Sequence, residues 1–244
     1  MKRELLCLLG LLASGCATTA PMATRTQAAR TDAASAEPAA AMTPAAQANL
    51  YLGIVDGLIR QQRYEAAIAF LAKFQKTETL SPRYHKLAGD ALSGAGRTDE
   101  AIAAYRQVLA SDLAPQAYNG IGRAFSIKGN WVLAAENFRQ AATLDPANAA
   151  YLNNFGYAQL KQDFRGPALA PVVSELQRAH ELDPDSDLIR ANLALALSLS
   201  GARAQFLAFL NTITDPTRRK EIAAFSANWA PAWTGDTGIK ETAP

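Results

Sequence analysis

Side chains able to do acid–base or metal chemistry are few in this sequence. There are two histidines, His85 and His180, and neither has a second histidine or a cysteine at metal-ligand spacing. Asp183-Pro184-Asp185-Ser186-Asp187 is acidic, but it lacks the spacing and the closing glutamate of a calcium loop. It reads as a junction between two helices, with a helix start at its end. Gly53-Ile54-Val55-Asp56-Gly57 and Gly94-Ala95-Gly96 are glycine-rich, yet neither has the surroundings of a phosphate loop. No serine sits in a nucleophile elbow. Both cysteines, Cys7 and Cys16, lie at the extreme N-terminus, so the rest of the chain can form neither a disulfide framework nor a thiolate metal site. The expectation is a non-enzymatic protein with no cofactor and no metal. A formal net charge of +2 leaves no electrostatic footprint for nucleic acid. Binding chemistry remains, and it needs a scaffold to position it.

The scaffold is written most clearly between residues 115 and 148. Apolar and small residues recur there at helical spacing in two runs, broken at Lys128-Gly129-Asn130. Tyr118, Ile121, Gly122 and Phe125 form the first run; Ala134, Phe138 and Ala141 form the second; Leu144-Asp145-Pro146 closes the unit. This order of residue types resembles the tetratricopeptide repeat, a helix–turn–helix of about 34 residues. Residues 48–81, 82–114, 149–186 and 187–215 carry looser versions of it. Gly89, Gly156 and Ala194 supply the small residue of the first helix, while Val55 replaces it in the first unit. Thr98 is a candidate N-cap. The surplus length of the fourth unit falls at 162–167, as insertions in such arrays map to loops. Leu188, Leu193, Ala194 and Leu197 mark the first helix of the fifth unit.

Residues 217–226 read as a capping helix with Arg218, Arg219 and Lys220 on its wet side, and Trp229 with Trp233 is expected to cover its end. One unit alone buries about eight side chains, worth at most roughly 24 kcal/mol, against at least roughly 27 kcal/mol to order its backbone. The units must therefore stack. The predicted fold class is all-α: a solenoid of about five repeats with a C-terminal capping helix, over residues 48–228. By resemblance it winds as a right-handed superhelix with a concave face.

The same resemblance implies which residues face that groove. The matching places of the first helices give Arg83, Lys86 and Asp90, then Gln116, Asn119, Arg123 and Ser126, then Asn153, Tyr157 and Lys161. Asn, Arg and Tyr side chains can hydrogen-bond the backbone of an extended peptide and hold a carboxylate. Some members of the family clamp a terminal carboxylate with Lys, Asn and Arg, a pattern that Lys86, Asn119, Arg123 and Asn153 match in part.

The N-terminus is a targeting segment. Lys2 and Arg3 precede an apolar run from Leu5 to Ala13. As a helix this run covers roughly 14 Å, short of the ~30 Å bilayer core, so it reads as a signal peptide over residues 1–15. Leu12-Ala13-Ser14-Gly15-Cys16 resembles a bacterial lipobox, which implies lipidation of Cys16. The alternative is an ordinary secretory signal cut nearby. Ala17 after the cysteine implies, by the same resemblance, the periplasmic face of a Gram-negative outer membrane. Residues 16–47 lack aromatics and aliphatic periodicity and read as a flexible tether; residues 229–244 read as a tail.

An anchor, a tether and such repeats resemble the TadD-like lipoproteins of tight-adherence (Flp-type) pilus assembly. Arg190-Ala191-Asn192-Leu193-Ala194-Leu195-Ala196-Leu197 with Gly201 carries that likeness in the fifth unit. It implies a scaffold whose partners are proteins of a pilus or secretion machine, with a membrane contact through the lipid. A type IV pilotin, a general envelope adaptor or an accessory subunit of a cell-wall enzyme are the alternatives. Metabolic labelling with palmitate should mark the wild-type protein and not Cys16→Ser; an unlabelled, soluble periplasmic product would contradict the anchor.

Overall fold

A computed structural model describes residues 42–75, 80–162 and 166–229. The signal peptide, Cys16 and nearly all of the tether lie outside the described residues, as does the tail beyond Trp229. The helices are α1 (Pro44–Arg60), α2 (Tyr64–Phe74), α3 (Pro82–Gly94), α4 (Thr98–Arg106), α5 (Ala114–Ile127), α6 (Trp131–Leu144), α7 (Ala149–Leu160), α8 (Ala170–Leu182), α9 (Asp187–Leu199), α10 (Arg203–Thr212) and α11 (Pro216–Trp229). Each helix packs on the next, and first helices also touch along the stack, α1 on α3, α3 on α5 and α7 on α9. This is the expected solenoid, pair after pair, at the expected places. Helix α1 begins at Pro44, inside the stretch read as tether, because Thr43 caps it and proline suits a first turn.

Local chemistry sets the two kinds of helix start. Four of the five first helices open on polar caps: Thr43, Ser81, Asn148 and Ser186 each accept a hydrogen bond from a backbone N–H three residues on, while α5 has Leu113 at its cap position and no such bond. Second helices instead follow a tight turn that needs a left-handed residue. Gly96, Gly129 and Gly201 fill it with φ of 78°, 73° and 84°. Gln62 takes the equivalent place in the first unit at φ 58°, which strains a residue with a Cβ. Thr98 is not a cap. It lies inside α4, Arg97 holds the cap position, and the Thr98 hydroxyl donates back to the Gly96 carbonyl at 3.3 Å.

The helices of a pair meet where a large side chain lies on a glycine. A Cβ on Gly122 would come within 2.6 Å of the Phe138 ring, and one on Gly156 within 2.7 Å of Leu176. Gly89 faces Tyr105 in the same way at 2.6 Å. The surplus loop of the fourth unit ends in a 3-10 turn, Gly166–Leu169, and Pro171 sits in the first turn of α8. Helix α9 is buried on nearly every side, from Asn192 through Leu199, because α7, α8, α10 and α11 all pack on it. Leu188 is an exception to the expected pattern: it is 63 % exposed, and Ile189 takes the buried place.

Helix α11 caps the stack as expected, with Ile222, Ala223 and Ser226 buried. Its arginines are not all simply wet. Arg219 donates twice to the Ile213 carbonyl, at 2.9 and 2.7 Å, and Arg218 pairs with Asp187 at 3.1 Å. The Trp229 side chain and Trp233 fall outside the described residues. Gly122→Leu should lower the unfolding free energy by about 1–3 kcal/mol through overpacking against Phe138, measured by urea denaturation; an unchanged midpoint would remove the close approach from the account.

Candidate functional site

The described residues hold no cluster of three or more His, Cys, Asp or Glu placed to bind a metal. Both histidines pack on rings. His85 meets Tyr84 edge-on at 5.2 Å, and His180 meets Phe209 at 5.4 Å. Burial lowers the pKa of each, and nearby Arg190 adds to the effect at His180. The acidic run is a junction: Asp183 ends α8, Ser186 caps α9, and Arg190 pairs with Asp187 and Asp185 at 2.7 and 3.4 Å.

The polar residues of α3 and α5 do converge. Lys86, Asp90, Gln116, Asn119 and Arg123 line one cleft of 420 Å³ between these helices. Ile59, Tyr64, Ile127 and Tyr151 add apolar and aromatic wall. The floor is Tyr105 of α4, a residue absent from the groove positions expected from the sequence. Its ring lies against Gly89 on one side and Gly120 on the other. Its hydroxyl donates to Asp90 Oδ1 at 2.8 Å, while Lys86 Nζ pairs with Asp90 Oδ2 at 2.6 Å. Both oxygens of the carboxylate are thus engaged. Burial, and then the Asp90 charge, push the Tyr105 pKa far above the usual tyrosine value; Arg123 pulls weakly the other way.

Arg123 is the charge left over. It is exposed, and its guanidinium makes no ion pair or hydrogen bond among the described residues. Ser126 beside it spends its hydroxyl on the Arg123 carbonyl at 2.7 Å. Asn119 Oδ1 accepts from Asn154 Nδ2 at 2.9 Å, so the Asn119 amide donor is the group turned to other use. The cleft therefore offers a fixed cation, amide donors and an aliphatic wall, with its other charges neutralised internally.

Besides Ser126, four of the expected groove residues do not line the cleft. Asn153 is 3 % exposed and accepts from Asn192 Nδ2 at 2.8 Å. It repeats the Asn119–Asn154 contact one unit further along the stack, and its role is to join units. Tyr157 packs edge-on against Trp131 at 5.9 Å, and Lys161 sits over the same indole at 5.3 Å. Both are drawn to the turn end of α6 because the indole offers a π face and an apolar edge. Arg83 lies outside the cleft and donates to Asn49 at 3.4 Å. The Asn153-Asn154 pair, one unit on from Asn119, was the available signal that amides at these places bond to each other.

Residues 86–162, which hold most of this cleft, match the tetratricopeptide repeat family model. Over that span the helix pairs match the tetratricopeptide repeat. Along 159 residues the chain is 28 % identical to a TPR repeat-containing protein of Pseudomonas aeruginosa, PA4299, over 64 % of this chain and 61 % of that one. The chain thus spans about three-fifths of that relative's length. Among solved structures it resembles MamA from Desulfovibrio magneticus RS-1, residues 41 to the end, with TM-score 0.57 and 20 % identity over 73 % of this chain and 96 % of that one. It also resembles YrrB, described as a TPR protein with an unusual peptide-binding site, with TM-score 0.56 and 16 % identity over 73 % and 89 %. At these identities the likeness is one of fold.

Two predictions follow from the geometry of the cleft and the stack. Asn153→Ala strands the buried Asn192 amide and should cost about 1–3 kcal/mol in urea unfolding; Gln116→Ala, on the exposed wall, should cost almost nothing. Because the Tyr105 pKa is raised on folding, the stability it contributes is complete below the unfolded value of 10.0 and is lost as pH rises above it. Unfolding free energy should therefore fall more steeply from about pH 9 to about pH 11 in wild type than in Tyr105→Phe; equal slopes would contradict the buried phenol.

Proposed function

We propose that this chain is a non-catalytic interaction scaffold whose α3–α5 cleft holds an extended segment of a partner protein. The observation that carries the reading is Arg123, which has no ion-pair partner among the described residues, in a cleft whose other charges are neutralised. A groove with one free cation, amide donors and an aliphatic wall suits a peptide that presents a carboxylate next to an apolar side chain. Tetratricopeptide arrays expose such grooves because stacking leaves the first helices side by side. A peptide-binding site is described for YrrB, a protein of similar fold.

We further propose that Cys16 is lipidated and that the chain sits at the periplasmic face of a Gram-negative outer membrane. There it would help a tight-adherence (Flp-type) pilus or related secretion machine to assemble. Support comes from the lipobox-like Leu12 to Cys16, the tether composition and the likeness of the fifth unit to TadD-like lipoproteins.

Arg123→Glu is the direct test of the cleft. Affinity purification from solubilised envelopes, followed by titration of the captured partner, should show at least ~10-fold weaker binding for the variant, with unchanged thermal unfolding. Undiminished binding would remove the cleft from the account. A deletion strain should fail to display pili, and normal piliation would refute the pilus assignment alone.

A further inference from the structure

Among the described residues nothing is stacked on the outer face of the first helix. In α5 the residues packed toward the preceding helix α4 are Ala117, Gly120, Ile121 and Ala124, all buried. Counted from the same point of the repeat, their equivalents in α1 are Leu50, Gly53, Ile54 and Gly57. Leu50 is 58 % exposed and Ile54 is 45 % exposed. A Cβ built on Gly53 or Gly57 would meet nothing within 4 Å. End units of such arrays ordinarily carry a polar outer face. Here the outer stripe of α1 is apolar, and its opposite side already holds the buried Leu52 and Val55. A helix apolar on both sides is built to be covered on both.

We propose that this face is closed by a second copy of the chain, with the two α1 helices packed antiparallel about a two-fold axis. Within the stack the corresponding face of each later first helix is covered by the helix before it, α2 against α3 and α4 against α5. The partner's α1 would continue that order. The face is also self-complementary. Antiparallel pairing about the middle of the stripe sets Leu50 opposite Gly57 of the partner subunit and Ile54 opposite Gly53 of the partner subunit, knob against notch. Two-fold contacts demand this reciprocity.

A lipid surface fits less well. The only basic residue of α1 is Arg60, and it is paired with Asp56 at 2.8 Å, whereas interfacial helices line their polar face with Lys and Arg. The preceding residues 17–41 contain one large apolar side chain, Met22, and so bring few knobs to fill the notches.

Sedimentation equilibrium of the full chain carrying Cys7→Ser and Cys16→Ser decides the matter without lipid or stray thiols. The expected result is a dimer whose dissociation constant rises at least ~100-fold in Leu50→Glu/Ile54→Glu, with helix content unchanged because both positions are exposed. The register has its own readout. In the same background Leu50→Cys/Gly57→Cys should form an intermolecular disulfide under mild oxidation and Leu50→Cys alone should not. Within one helix these two positions are ~10 Å apart, too far to bridge. A monomer at all concentrations, or a dimer that survives the double glutamate, overturns the proposal. A monomer that binds phosphatidylglycerol vesicles through Leu50 and Ile54 also overturns it and gives the face to lipid.

Discussion

The structure depends on how closely one helix can approach the next. Tyr105 shows the constraint most plainly. Its ring occupies the space that side chains at Gly89 and Gly120 would otherwise fill, so a single residue of α4 locks to the helix before it and to the helix after it. Phe138 on Gly122 and Leu176 on Gly156 repeat the device within later pairs. Burial at such contacts offsets the backbone entropy that one helix pair cannot offset by itself. The asparagine contacts, Asn119 with Asn154 and Asn153 with Asn192, then fix the register between units with bonds that misaligned units would leave unmade.

The cleft is a by-product of that locking. Because Tyr105 must reach across to pack on Gly120, its hydroxyl arrives beside Asp90 and completes the network with Lys86. The same packing presents Arg123 one turn along α5 with no ion-pair partner among the described residues. A rigid floor and a single uncompensated cation are what a scaffold needs to recognise one segment among many, since little ordering remains to be done on binding.

Much of the fold was legible because repeat architecture writes itself periodically. Gly122, Phe138 and the turn glycine Gly129 specify close approach and a left-handed turn wherever they recur, so the helix pairs fell at their expected places. The cleft was legible only in part. Residues of one helix, such as Asn119 and Arg123, follow from spacing alone. Asn153, at the equivalent place, makes the same amide contact with the next unit as Asn119 does, yet it is buried where Asn119 stays half-buried, a difference that spacing does not carry. Tyr157 and Lys161 are diverted by Trp131, whose pull depends on three-dimensional proximity. Thr98 looked like a cap because of its residue type, but the left-handed Gly96 moved the helix start by one residue.

The most direct test of the central claim is a crystal structure of the chain with the peptide segment of its captured partner. The account predicts an extended peptide in the α3–α5 cleft with a carboxylate on the Arg123 guanidinium and an apolar side chain against Ile127. A peptide bound away from this cleft, or one in it that leaves Arg123 untouched, would contradict it.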